Sequence, residues 1–192
     1  MGSKIDRVGE KNINNFGSEM IIIEYRKYSD IDVYFTKYDW TTKNNTYQNF
    51  KNGKIKSPYD KSVFGVGYLG EGEYESRENG KLIKVYATWC HMLERCYSEK
   101  YHEKQPTYID CEVSDEWHNF QNFARWYYDN YYEIEGEKMC LDKDILFKHN
   151  KTYSAETCIF VPQTINNLFV KNNRGESVIG TSPKKWQISS GL

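Results

Sequence analysis

The chain has 192 residues, a formal net charge of −1 and 16% aromatic side chains. That length holds one mid-sized domain or two small ones, and a near-neutral sum excludes a protein that coats nucleic acid by bulk charge. No apolar run approaches bilayer length, no signal-peptide pattern opens the chain, and five irregularly spaced cysteines predict reduced thiols in a cytoplasmic protein.

Residues 1–59 read as a small β-rich module. Residues 20–25 are a β-prone run, residues 27–30 a turn, and Ile31, Val33 and Phe35 alternate with polar positions along a second strand. Tyr38, Trp40, Tyr47 and Phe50 are interleaved with Lys37, Lys43, Lys51, Lys54 and Lys56. Lysines clamp phosphates and rings stack on bases, so the mixture fits a nucleic-acid surface. It fits equally a tiny ring-filled core whose lysines keep the sheet edges soluble. Ser57-Pro58-Tyr59-Asp60 reads as a boundary.

Residues 60–172 form a second, mixed domain. Gly65, Gly67 and Gly70 imitate a phosphate loop, but no helix pattern and no Lys-Ser/Thr follows. A β-hairpin around Asn79-Gly80 explains the stretch better. A helix is predicted over residues 87–97, with Trp89, Met92, Leu93 and Cys96 on one face. A longer one is predicted over residues 116–132, its stripe built from Trp117, Phe120, Ala124, Tyr127, Tyr128 and Tyr131. Ser114 or Asp115 would cap it, and His118 would lie half-exposed at the surface. The cysteines and histidines lack paired zinc-knuckle spacing, which favours buried free thiols.

The stretch 141–169 carries the chemistry. Residues 141–145 read as a short strand with Asp142 and Asp144 on one face and Lys143 opposite; residues 148–155 are a polar loop, and residues 158–161 a second strand. Pro162 suits the first turn of a helix whose Ile165, Leu168 and Phe169 would be buried. Charge is also segregated. Residues 41–61 carry a net +4, residues 62–140 a net −7 and residues 141–192 a net +3. Two phosphate-facing surfaces would look like this, as would lysines solvated in loops.

The order strand, loop, strand, helix resembles the ββα finger of HNH endonucleases. Asp142 sits at the metal-ligand position, and Asn166 or Asn167 falls where the helix supplies its last polar group. Lys143 stands where the family has its catalytic histidine, and Thr157 where the loop asparagine is usual. More broadly, TWCHMLERCY, QPTYIDCEV, EWHNFQNFARWY, LDKDIL and SAETCIFVPQTINNLF are similar to a phage-encoded HNH endonuclease-like family associated with AP2 DNA-binding domains. Residues 173–192 then resemble a truncated AP2 segment opening at Val178.

The resemblance implies an α+β fold and double-stranded DNA as partner. Asp142 and Asp144 would hold Mg²⁺ or Mn²⁺, and Lys143, His149 and Asn167 would complete the catalytic set. Lys43, Lys51, Lys54, Lys56, Lys148, Lys151, Lys171 and Arg174 are the expected nucleic-acid contacts. A phage protein with an altered nuclease site fits two other roles. One is an inhibitor of a host defence nuclease, of the anti-CRISPR kind, in which acids such as Glu71, Glu73, Glu75 and Glu78 mimic phosphates. The other is a DNA binder that does not cut.

Overall fold

The computed structural model describes residues 6–172, an α+β protein. The predicted tail 173–192, with Arg174, lies outside the described residues.

The first unit is an antiparallel meander in the order β1–β2–β3–β4, formed by Lys11–Ile13, Glu19–Lys27, Asp30–Phe35 and Trp40–Asn45. Period-two alternation sends Met20, Ile22, Ile31, Val33 and Phe35 to one face, where all are 0% exposed. A short helix α1 (Tyr47–Lys51), capped by the Thr46 hydroxyl, closes that face with Tyr47 and Phe50. On β3 the buried Asp32 carboxylate is satisfied by Arg26, which also bridges Asp30. That shared guanidinium holds both carboxylates below their usual range.

The predicted boundary at 57–60 is tied down by hydrogen bonds. Asp60 is 1% exposed, and its carboxylate accepts from the Asn14 amide, the Ser18 hydroxyl and the Ser57 N–H. The two units meet beside it. Glu71 accepts from Trp40 Nε1 at 2.8 Å and from the Tyr59 hydroxyl, while the rings of Tyr38, Tyr59 and Tyr68 follow one another across the seam.

The second unit is packed around α2 (Lys84–Tyr97), which precedes a short α3 (Glu99–Lys104). Trp89, Met92, Leu93 and Cys96 are buried on α2 as the periodicity predicts. The hairpin ahead of it pairs β5 (Arg77–Glu78) with β6 (Lys81–Leu82), and Asn79 and Gly80 both take positive φ at its tip. The glycine-rich stretch is packing surface. A Cβ on Gly67 would lie 2.5 Å from Leu93 Cδ1, and the buried Gln121 amide holds Tyr74 through both its N–H and its C=O.

The single long helix predicted over residues 116–132 is two: α4 (Asp115–His118) and α5 (Phe120–Asn130). Asn119 is extended between them. Its neighbours exchange backbone hydrogen bonds with Tyr68, and its side chain caps the Gln121 N–H. Pairing with the preceding segment outweighs helix continuity at that residue. Trp117, Phe120, Phe123, Ala124 and Tyr127 are buried, whereas Tyr128 is 56% exposed. Ser114 occupies the cap position of α4 without a side-chain hydrogen bond.

His118 is not a surface residue. Its side chain is 15% exposed and shares a 3.1 Å hydrogen bond with the Tyr97 hydroxyl. Burial lowers its pKa.

Two expectations follow. Asp60→Ala removes the acceptor from three donors and should cost about 3 kcal/mol in urea unfolding. Because the folded-state pKa of His118 lies below its unfolded value, stability should be intact above about pH 6.5 and fall as pH drops towards 5. His118→Gln should flatten that part of the stability–pH curve.

Candidate functional site

The finger consists of β8 (Met139–Asp142), β10 (Ile159–Pro162) paired antiparallel with it, and α6 (Gln163–Asn172). A two-residue strand β9 (Thr152–Tyr153) lies inside the loop. It pairs in parallel with β7 (Glu112–Val113), tying the finger to the helical core. Leu141, Tyr153, Cys158 and Phe160 enter that core directly. Strand, loop, strand and helix therefore come in the predicted order, with shifted ends. Pro162 closes β10 instead of opening the helix, because it pairs with Met139.

Asp142 ends β8 and caps the turn after it. Its Oδ1 accepts the N–H groups of Asp144 and Ile145 at 2.7 and 2.8 Å. This bend stops the strand three residues earlier than predicted, and Lys143 lies inwards on the side of buried Leu141. Lys143 is 5% exposed. Its Nζ donates to both Asp144 oxygens at 2.8 Å and to the Asn150 carbonyl at 2.6 Å, with the Tyr153 ring 5.7 Å away. Three acceptors thus surround a group that has three N–H bonds, and an ammonium has no lone pair with which to take a proton.

Asn150 completes the lock. Its amide donates to the Lys143 carbonyl at 2.9 Å and to the Thr152 carbonyl at 2.6 Å. Thr157, at the loop-asparagine position, donates to the Thr152 carbonyl at 2.7 Å and accepts from the Ser154 N–H. Residue patterning alone misses Asn150. The signal that could find it is an amide between two strand-forming runs, two residues ahead of β9.

The remaining predicted site residues do not join this lock. His149 is exposed at the loop tip with φ +65°, and Asn167 is exposed, its carbonyl accepting from Gln163 one turn back. Among the described residues no three His, Cys, Asp or Glu side chains come together to hold a metal. Asp142 Oδ1 is engaged by two backbone amides, and the Asp144 carboxylate pairs with Lys143. The predicted buried stripe of α6 also faces outwards: Ile165, Leu168 and Phe169 are 40, 57 and 48% exposed. The helix instead packs on β8 and β10 through partly buried Gln163 and Asn166.

Most of the predicted phosphate contacts lie at the surface. Lys43, Lys51, Lys54, Lys56 and Lys148 are exposed, and among the described residues none pairs with a carboxylate. Lys151 is exposed and bonds a carbonyl, that of Thr107, at 3.2 Å. Arg7, Lys11, Arg26 and Lys84 are ion-paired, whereas the exposed Lys27, Lys37, Lys81, Lys100, Lys104 and Lys138 likewise form no ion pair among the described residues. The Lys171 side chain lies outside the described atoms.

Comparison with protein-family models, curated proteins and solved structures gives no match. Among the described residues no helix is long and apolar enough to cross a membrane.

Asn150→Ala should strand two carbonyls and loosen the finger loop, lowering stability by about 2 kcal/mol in chemical unfolding. Faster hydrogen exchange confined to residues 143–153 would locate the effect.

Proposed function

We propose that the chain binds double-stranded DNA and uses an HNH-like finger as a positioning element rather than as a cutting one. The observation that carries this reading is the set of six exposed lysines, Lys43, Lys51, Lys54, Lys56, Lys148 and Lys151, that face solvent without acidic partners among the described residues. Exposed ammonium groups release counterions when they meet phosphates, which supplies affinity without base readout. Near-zero net charge confines the attraction to these segments.

Lys143 supports the second half of the proposal. At the position where the family has its catalytic histidine stands an ammonium surrounded by acceptors, and Asp144 neutralises it. General-base attack on a phosphodiester needs a group with an available lone pair at that point. The finger that remains is rigid, hydrogen-bonded across its loop and anchored in the core. Those are the properties of a scaffold that sets a protein's register on a duplex.

Binding of a short duplex should weaken steeply with salt between 50 and 200 mM. Lys54→Ala with Lys56→Ala should lower the slope of log K against log[salt] by about two, on the order of 0.9 for each phosphate no longer neutralised. Supercoiled plasmid incubated with Mg²⁺ or Mn²⁺ should stay intact. Metal-dependent nicking that disappears in Asp142→Ala would overturn the scaffold reading and restore the nuclease. Absence of DNA binding, together with tight inhibition of an RNA-guided defence nuclease, would establish the inhibitor instead.

A further inference from the structure

A cleft of about 540 Å³ opens to solvent between the β5–β6 hairpin, the chain leading into it and α5. Tyr74 and Tyr128 form one wall, their rings stacked at 5.4 Å and 23°, and Ile83 adds an apolar patch just ahead of α2. Tyr128 remains 56% exposed in spite of that stacking, so much of its ring is open to a ligand. The wall is also fixed in place. The buried Gln121 amide holds the Tyr74 N–H at 3.0 Å and its carbonyl at 2.9 Å, and Tyr128 is carried by α5.

The rest of the lining is charged. Glu73, Glu75 and Glu78 face the cleft, and none of them forms an ion pair among the described residues. Arg77 also lines it, but its Nη1 donates to the Gly80 carbonyl at 2.8 Å. Three carboxylates against one guanidinium leave the lining at a net −2. Lys81, opposite Glu78 in the hairpin, and Arg125, one turn before Tyr128, do not line the cleft, and Lys84 is taken by Glu133. A lining of this sign repels phosphate, so the cleft serves a ligand other than DNA.

Among the described residues no three acids converge tightly enough to hold a metal ion, so the charge fits a delocalised cation better than a point one. The face of an aromatic ring attracts cations, and a guanidinium can lie flat on it while its edge donates to carboxylates. The methylene stem behind a guanidinium packs on apolar surface of the kind that Ile83 and the rings provide. We propose that this cleft binds an arginine side chain from a basic segment of another protein, with the Tyr74–Tyr128 wall against the guanidinium and the three glutamates as its counter-charge.

Calorimetric titration of the full chain at low salt with the end-blocked peptide Gly-Arg-Gly-Arg-Gly tests the site. This peptide should bind several-fold more tightly than Gly-Lys-Gly-Lys-Gly of equal charge. Tyr128→Ala should weaken it about fivefold, whereas Tyr128→Phe, which keeps the ring, should retain it. Glu73→Gln with Glu75→Gln and Glu78→Gln should weaken binding more than about tenfold. Glu99→Gln with Glu103→Gln and Glu135→Gln, all outside the lining, should leave it unchanged. Every substituted side chain is exposed, so these variants should fold.

Equal affinity for the two peptides, with no loss in Tyr128→Ala, would overturn the inference and reduce the cleft to diffuse acidic attraction. Absence of binding would overturn it as well. Argininamide binding as tightly as the peptide would keep the guanidinium site and replace the protein segment with a small molecule as its ligand. Should Tyr128→Ala fail to fold, the comparison of the two peptides and the two triple glutamine variants carry the test.

Discussion

A lysine taken out of water governs the finger. Moving an ammonium into the interior costs several kcal/mol unless its hydrogen bonds are replaced. Lys143 replaces all three within one short loop, through both Asp144 oxygens and the Asn150 carbonyl. Geometry follows from that requirement. Asp142 caps the turn that carries Asp144, Asn150 holds the returning strand to the Lys143 carbonyl, and Thr157 closes the far side. Asp142 and Thr157 occupy places where an HNH-like reading looks for chemistry, and both are used to hold the backbone.

Polar groups join the two units in a similar way. Asp60 and Glu71 are acids without a cationic partner among the described residues, and each is satisfied by hydroxyls, amides or an indole N–H. Neutral donors fix direction more sharply than a salt bridge between long side chains, because a short side chain or backbone N–H has little rotamer freedom to lose. The rings of Tyr38, Tyr59 and Tyr68 fill the space between them. The β module and the helical unit are thus held together by directed polar contacts and stacked rings.

Periodicity made the interior of this protein readable, and competition between local and distant partners set the limits. The alternation of Met20, Ile22, Ile31, Val33 and Phe35 and the helical spacing of Trp89, Met92, Leu93 and Cys96 foretold the two cores, because each face buries against one neighbour. Asn79-Gly80 foretold its hairpin for the same local reason. The break at Asn119 was hidden because its cause, the backbone of Tyr68, lies far away in sequence. The outward turn of Ile165, Leu168 and Phe169 was hidden in another way. A stripe at helical spacing states that three side chains share a face, and it says nothing about whether that face has a partner. At the finger, residue types pointed to the loop's importance, but their roles depended on which way Lys143 turned.

Alternation along β8 decides that direction. Leu141 is buried and Asp142 is partly exposed, so residue 143 returns to the core side with Leu141. Asp142 Oδ1 caps the amides of Asp144 and Ile145, which ends the strand, and the Asp144 carboxylate meets the Lys143 ammonium. Strand alternation and a capped turn together place a buried ammonium and its counter-charge side by side, near the buried Tyr153 ring.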